Sequence, residues 1–134
     1  MELLVNVDVG DLAAGERFYR DALGLAVGRR FGSWGVELRG ASSPIYLLHK
    51  EEGSPVSPAT DVVRAYERHW TPVHLDFVVD DIEKAVERAV AAGATLEEPV
   101  AVRRWGKLAL LADPFGNGFC FVELVGRGYD EIVD

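Results

Sequence analysis

Cysteine is nearly absent from this chain. Cys120 is the only one among 134 residues, so no internal disulfide can form, which fits a reducing compartment. Long apolar runs are missing too. No stretch of about 18 hydrophobic residues is present to span a membrane, and Met1-Glu2-Leu3-Leu4-Val5-Asn6-Val7-Asp8 lacks the basic stretch and apolar core of a secretory signal. The expectation is a cytoplasmic protein. Basic residues are in deficit, with 14 Lys and Arg against 22 Asp and Glu and a formal net charge of −8. That balance disfavours nucleic acid and anionic membrane as partners and favours cationic small molecules or basic partners. Several site chemistries lack their signatures as well: there is no phosphate-binding P-loop, no G-x-G-x-x-G after a strand, no C-x-x-C and no G-x-S-x-G elbow.

What the sequence does contain is a repeat. Val5-Asn6-Val7-Asp8-Val9-Gly10-Asp11-Leu12 runs into Phe18-Tyr19, and about 70 positions later Leu75-Asp76-Phe77-Val78-Val79-Asp80-Asp81-Ile82 runs into Val86 and Ala89. Each copy reads as a strand, an acidic turn and an amphipathic helix. Leu12, Gly15, Phe18, Tyr19, Ala22 and Leu23 share one helical face, stopped by Gly24. Ile82, Ala85, Val86, Ala89 and Val90 share another, ending near Gly93, with Asp80 and Glu83 at the acidic start. Short strand-like segments follow each helix, at 25–29, 34–38 and 45–48, then at 95–97, 107–112 and 119–124. The expected fold is α+β, two βαβββ modules whose curved mixed sheets enclose a cleft. Module one covers 1–49, an exposed linker with room for a helical turn or two covers 50–70, module two covers 71–125, and an acidic tail covers 126–134.

Strand alternation assigns directions. Val5, Val7 and Val9 form a core set, leaving Leu4, Asn6 and Asp8 on the other face; Val73, Leu75, Phe77 and Val79 likewise leave His74 and Asp76 opposite. Cys120, Val122 and Leu124 share one face of the last strand, and Tyr46 shares a face with Leu48. A polar row on a central strand suits a sheet that curls around a wet concave site.

Together with the βαβββ order, the turns Val9-Gly10-Asp11-Leu12 and Val79-Asp80-Asp81-Ile82, the segment Phe18-Tyr19 to Leu23-Gly24-Leu25, Ala92-Gly93-Ala94, and Asp113-Pro114-Phe115-Gly116-Asn117 before the final strand resemble the vicinal oxygen chelate superfamily. That group includes glyoxalase I, bleomycin-resistance proteins and extradiol dioxygenases, and the resemblance runs from Leu3 to Leu124. It implies the fold but not the chemistry, which differs among members. Where its members use a divalent metal, the resemblance places the ligands at Leu4, Tyr46, His74 and Cys120. Only His74 is a usual ligand type, short of the three hard or borderline ligands such chemistry wants. Glu123 faces the wrong way in a regular strand to make up the deficit.

Two readings stay open for each reactive side chain. His74 is a hydrogen-bonded structural residue or, with Asp76, a catalytic acid/base pair. Cys120 is a small buried hydrophobe or a functional thiol lining the ligand site. Trp34, Tyr46, Trp70, Trp105 and Phe115 are candidate walls for a planar ligand, and Asn6, Asp8 and Asp76 candidate acceptors, which together suit an amphipathic cation. Arg29-Arg30 and Arg103-Arg104 read as solvated strand ends, able to meet an anionic group at the cleft mouth. The expected function is binding of a small molecule, bleomycin-resistance-like, without cofactor or catalytic metal. The competing expectation is a lyase, isomerase or dioxygenase using a divalent ion held partly by His74. A homodimer is expected from the open sheet edges and from the resemblance.

Overall fold

The computed structural model describes all residues, Met1–Asp134. The chain divides into two compact units, Met1–Glu67 and Arg68–Asp134. In the first, β1 (Val5–Val9), α1 (Leu12–Leu23), β2 (Ala26–Phe31), β3 (Gly35–Arg39) and β4 (Ile45–His49) form a mixed sheet in the order β1-β4-β3-β2. The second repeats it with β5 (Leu75–Val78), α2 (Ile82–Ala91), β6 (Thr95–Arg103), β7 (Gly106–Ala112) and β8 (Gly118–Leu124), in the order β5-β8-β7-β6. Each unit is the expected βαβββ module of an α+β protein.

Both helices begin where an aspartate satisfies an orphan backbone donor. Asp11 accepts from the Ala14 N–H at 2.9 Å, and Asp81 from the Lys84 N–H at 3.1 Å. Asp81 is therefore the cap, one residue beyond the expected Asp80. Gly24 ends α1 in the left-handed conformation, φ 69°. Gly15, Phe18, Tyr19 and Ala22 of α1 are buried, and a Cβ at Gly15 would lie 3.0 Å from a Val9 methyl and 3.4 Å from a Leu47 methyl. The helix thus lies on the Val9, Leu47, Val36 and Leu38 face of sheet one, all four fully buried. In the second unit Ile82, Val86 and Ala89 are buried, but Val90 is exposed, because the helical stripe has rotated past the sheet by its last turn.

Two expectations change. Residues 61–68 form no helical turn. The segment instead folds as a small antiparallel hairpin, with a bridge between Pro55 and Val63 and Arg64 N–H donating to Ser54 O at 2.9 Å. Its residues to Glu67 belong to the first unit, tied down by Tyr66 Oη donating to Lys50 O at 2.6 Å. Strand β6 runs on to Arg103 rather than stopping at Glu97, since register shifts between Leu96 and Ala101 absorb Pro99 on an edge strand. The tail contains a 3-10 helix over Gly128–Glu131.

Candidate functional site

Because α1 covers one face of sheet one, the register assigns the other. Asn6 pairs with Tyr46, and Tyr46 with Glu37, so the three side chains stand in a row on the open face. Glu37 is 1% exposed, yet it carries a charge. A buried carboxylate must be compensated, and here compensation is complete. Arg29 donates from Nε to Glu37 Oε2 at 2.9 Å and from Nη2 to the same oxygen, Arg39 Nε donates to Oε1 at 2.6 Å, and Tyr46 Oη donates to Oε2 at 2.9 Å. Arg29 Nη2 also reaches Tyr46 Oη at 2.9 Å. The Arg29 hydrogen bonds, followed by those of Arg39 and Tyr46, overcome burial and hold the Glu37 pKa down at about 2. The arginine side chains themselves remain 62% and 63% exposed.

An aromatic row runs from the same cluster. Phe31 lies 6.1 Å from Tyr46 and stacks on Trp34 at 5.2 Å with 27° between the planes, while the Arg29 guanidinium sits 5.8 Å over the Phe31 ring. Tyr46, Arg29, Glu37 and Arg39, with Leu3 and Leu4, also wall a cavity of about 690 Å³ within the first unit. Tyr46 is thus common to the row and the cavity.

The expected acceptors on this face are largely spent. Asp8 is ion-paired with Arg64 at 2.7 Å, from the hairpin segment, and Asn6 is exposed beside Tyr46. With Glu37 outnumbered by two guanidiniums, the cluster carries a net positive charge, the opposite of the acceptor-rich surface the sequence suggested for this module.

On sheet two the equivalent face gathers His74, Asp76 and Cys120. Asp76 pairs in register with Cys120, His74 Nε2 lies 3.2 Å from Asp76 Oδ1, and the three potential ligand atoms lie within 4.8 Å of one another. Cys120 is 6% exposed. Burial, and then the neighbouring Asp76 carboxylate with its hydrogen bond, pushes its thiol up to about 11. At neutral pH it is a protonated donor to Asp76, not a thiolate nucleophile. Glu123 points to the helix side, as alternation requires. It accepts from the Ile82 N–H at 2.8 Å and lies 3.5 Å from Lys107, which also holds Glu83.

The remaining aromatics scatter. Trp105 sits in the β6–β7 turn against Tyr129 at 5.1 Å, at the Gly106–Leu124 end of sheet two, whereas Asp76 and Cys120 lie toward the other end. It therefore does not wall the His74 cluster. Phe115 is buried in a turn that Asp113 locks by accepting from the Phe115 and Asn117 N–H groups at 2.8 and 2.9 Å, so it is a packing residue and not a ligand wall. Trp70 is 80% exposed, beside His69, whose N–H donates to Gly116 O. Glu37, Arg39 and Phe31 join the site beyond the residues that the sequence pattern singles out. For Glu37 a signal was there: it alternates with Val36 and Leu38 as Asn6 does with Val5 and Val7. For Arg29 and Phe31, a register shift between Val27 and Arg30 breaks the alternation that would reveal their direction.

Comparison with known proteins decides the family. The glyoxalase-like domain family matches residues 4–122. The chain belongs to the glyoxalase-like family, within the vicinal oxygen chelate superfamily. Among relatives of this glyoxalase-like chain, the anthracycline biosynthesis protein DauV of Streptomyces sp. strain C5 is 34% identical over 126 residues, which cover 90% of the chain and 40% of DauV. The anthracycline biosynthesis protein DnrV of Streptomyces peucetius is 32% identical over 122 residues, with the same coverages. The chain spans about two fifths of the length of both relatives. A crystal structure of a glyoxalase/bleomycin resistance protein/dioxygenase family enzyme from Burkholderia phytofirmans PsJN superposes with a TM-score of 0.74 at 26% identity, over 91% of this chain and 97% of that one.

The superfamily implies a divalent ion in its metal-using members, and the donor set tests whether these residues fit one. Leu4 offers no donor atom, and the Tyr46 hydroxyl is committed to Glu37 and Arg29. Of the four, only the His74 imidazole and the Cys120 thiol remain as donors, fewer than the three such a centre wants. The four implied positions do not fit a divalent centre.

Proposed function

We propose that this glyoxalase-like chain binds a planar, polycyclic aromatic small molecule against the open face of sheet one, and does so without a catalytic divalent ion. One observation carries the reading: Tyr46, at a position where metal-using relatives would place a ligand, has its hydroxyl tied into the Glu37 cluster while its ring joins the Trp34–Phe31 row at the cavity rim. A residue so fixed serves as a rigid wall, and stacked rings next to a cavity of this size suit a flat ligand. The two relatives named for anthracycline biosynthesis support the ligand class, since anthracyclines are planar polycyclic aromatics.

Titrating a hydroxyanthraquinone while following tryptophan fluorescence tests this. Saturable quenching at one ligand per chain is expected, with Phe31→Ala weakening binding by about 1 kcal/mol or more. Absence of quenching removes the proposal.

A second reading, a lyase or isomerase of the family type, is favoured by the convergence of His74, Asp76 and Cys120 within 4.8 Å. It requires one divalent ion per chain, lost in His74→Ala, measured by metal analysis after incubation with zinc, nickel, manganese or iron(II). Binding of such an ion would reverse the order of the two readings.

A further inference from the structure

The two arginines on the open face of sheet one are not consumed by the carboxylate that holds them. An arginine has five N–H donors. Arg39 commits only Nε to Glu37, so both terminal amino groups stay uncommitted, and Arg29 commits Nε and Nη2 but leaves Nη1. Glu37, by contrast, is saturated. Its two oxygens accept from the Arg29 backbone N–H, the Arg29 guanidinium, Arg39 and Tyr46, so it has no free lone pair with which to compete for the remaining guanidinium donors. The buried carboxylate acts as a template that fixes the two guanidiniums, and their remaining donors belong to residues of the cavity wall. The Arg29–Arg39–Glu37 cluster itself carries one net positive charge, and Glu2 at the same cavity brings the lining as a whole to formal neutrality, so the free guanidinium donors rather than a surplus field would recognise an anion.

We infer that Arg29 and Arg39 form a carboxylate-binding subsite, so that the ligand is a planar aromatic acid with its ring along Tyr46 and its acidic group on the arginine pair. Pre-fixed guanidiniums lose little side-chain entropy on binding, and a fork of N–H donors matches a carboxylate better than a point charge does. Apolar Leu3 and Leu4 on the same wall leave the ring system an unhydrated surface. The inference rests on the reading of sheet one as a small-molecule site and adds the charge of its ligand.

The test compares anthraquinone-2-carboxylate with anthraquinone-2-carboxamide, which share a ring system and differ in charge. At low salt the carboxylate should bind about tenfold tighter than the amide, and the ratio should shrink as salt screens the charge. Arg39→Gln carries the mutational arm, because its side chain is mostly exposed and Arg29 and Tyr46 still hold Glu37 without it, and a thermal melt checks that it is folded; the ratio should fall close to one, and Arg39→Lys should restore part of it. Arg29→Gln, which strips the buried Glu37 of its main partner, is read only after a thermal melt shows it folded. Equal binding of both probes to the unaltered protein overturns the carboxylate subsite and leaves the small-molecule reading standing. A preference that survives in Arg39→Gln also overturns it, by placing the recognising cation elsewhere. Binding of neither probe overturns both.

Discussion

Replacing Gly106 with alanine should damage this protein far more than the loss of a glycine usually does. Gly106 opens β7 at φ +154°, and a Cβ there would come within 3.0 Å of the Glu123 carbonyl carbon and 3.1 Å of Leu124 Cα, with the Glu123 carbonyl oxygen closer still. These are backbone atoms of the neighbouring strand and cannot rotate away as a side-chain tip can. Two costs therefore add: about 1–3 kcal/mol for a non-glycine residue in that conformation and about 1–3 kcal/mol for forcing packed strands apart. The displaced segment also carries Glu123, whose side chain caps the first turn of α2 at Ile82. A total of about 2–6 kcal/mol is a large fraction of the roughly 5–15 kcal/mol that stabilises a domain. At about 3–5 °C per kcal/mol for a chain of this length, the melting temperature should fall by about 6–30 °C, toward the upper end because the collision is with backbone. Gly53→Ala is the control. Gly53 also has positive φ, +79°, but nothing lies within 4 Å of its added Cβ, so it should lose only about 1–2 kcal/mol from conformation. Thermal denaturation followed by circular dichroism separates the two. If the variants melt within about 3 °C of each other, steric collision with β8 is not what Gly106 avoids.

Further outcomes follow from the two polar faces. Cys120, with its thiol pushed up to about 11, should react with iodoacetamide at pH 8 at a small fraction of the rate of free cysteine, since only about one thiol in a thousand is ionised there; Asp76→Asn should speed the reaction, and a rate equal to free cysteine would contradict the burial argument. Glu37 has a folded pKa of about 2 against an ordinary 4.5, so its ion cluster contributes fully above pH 4.5 and is lost as pH falls toward 2. Glu37→Gln should therefore flatten the pH dependence of the urea midpoint in that window, and an unchanged slope would count against the cluster. Light scattering at micromolar concentration should give a homodimer of 14.7 kDa chains, because each sheet leaves two edge strands unpaired; a monomer would dismiss that proposal.

The repeat was legible because both copies keep the features that local physics reads directly. Asp11 and Asp81 cap helices, Gly24 stops one, and apolar residues recur at helical spacing. Alternation was equally reliable on regular strands: it turned Asp76 away from the helix-covered set and Glu123 away from Cys120, and the register, which adds the pairing of Asp76 with Cys120, agrees. It failed where regularity fails. The register shift between Val27 and Arg30 hides Arg29, Pro99 disguises the length of β6, and no periodicity in 50–67 announces a hairpin that brings Arg64 onto Asp8. Local sequence does not reveal charge pairing over long separations: the partner of Asp8, Arg64, lies 56 positions away. Phe115 and Trp105 misled for a related reason. An aromatic residue near a strand end is as readily a turn's packing core as a ligand's wall, and only the Asp113 lock and the Tyr129 contact tell which.

Different side chains at corresponding register positions account for the difference between the two faces. In sheet one the row across β1, β4 and β3 reads Asn6, Tyr46, Glu37; in sheet two the row across β5, β8 and β7 reads Asp76, Cys120, Leu110, continuing to Glu98 on β6. The backbone ladders are the same, so the side chains at corresponding positions must point the same way relative to their own helix. What differs is who neutralises the charge. Glu37 draws Arg29 and Arg39 from its own sheet, leaving surplus guanidinium donors, whereas Asp76 meets only the His74 imidazole and a Cys120 thiol that resists ionisation. The third-strand glutamate of sheet one, where sheet two has Leu110, is the group that gathers Arg29 and Arg39 into an arginine-rich wall. The chemistry of each module therefore has to be assigned residue by residue, and the fold they share is silent about it.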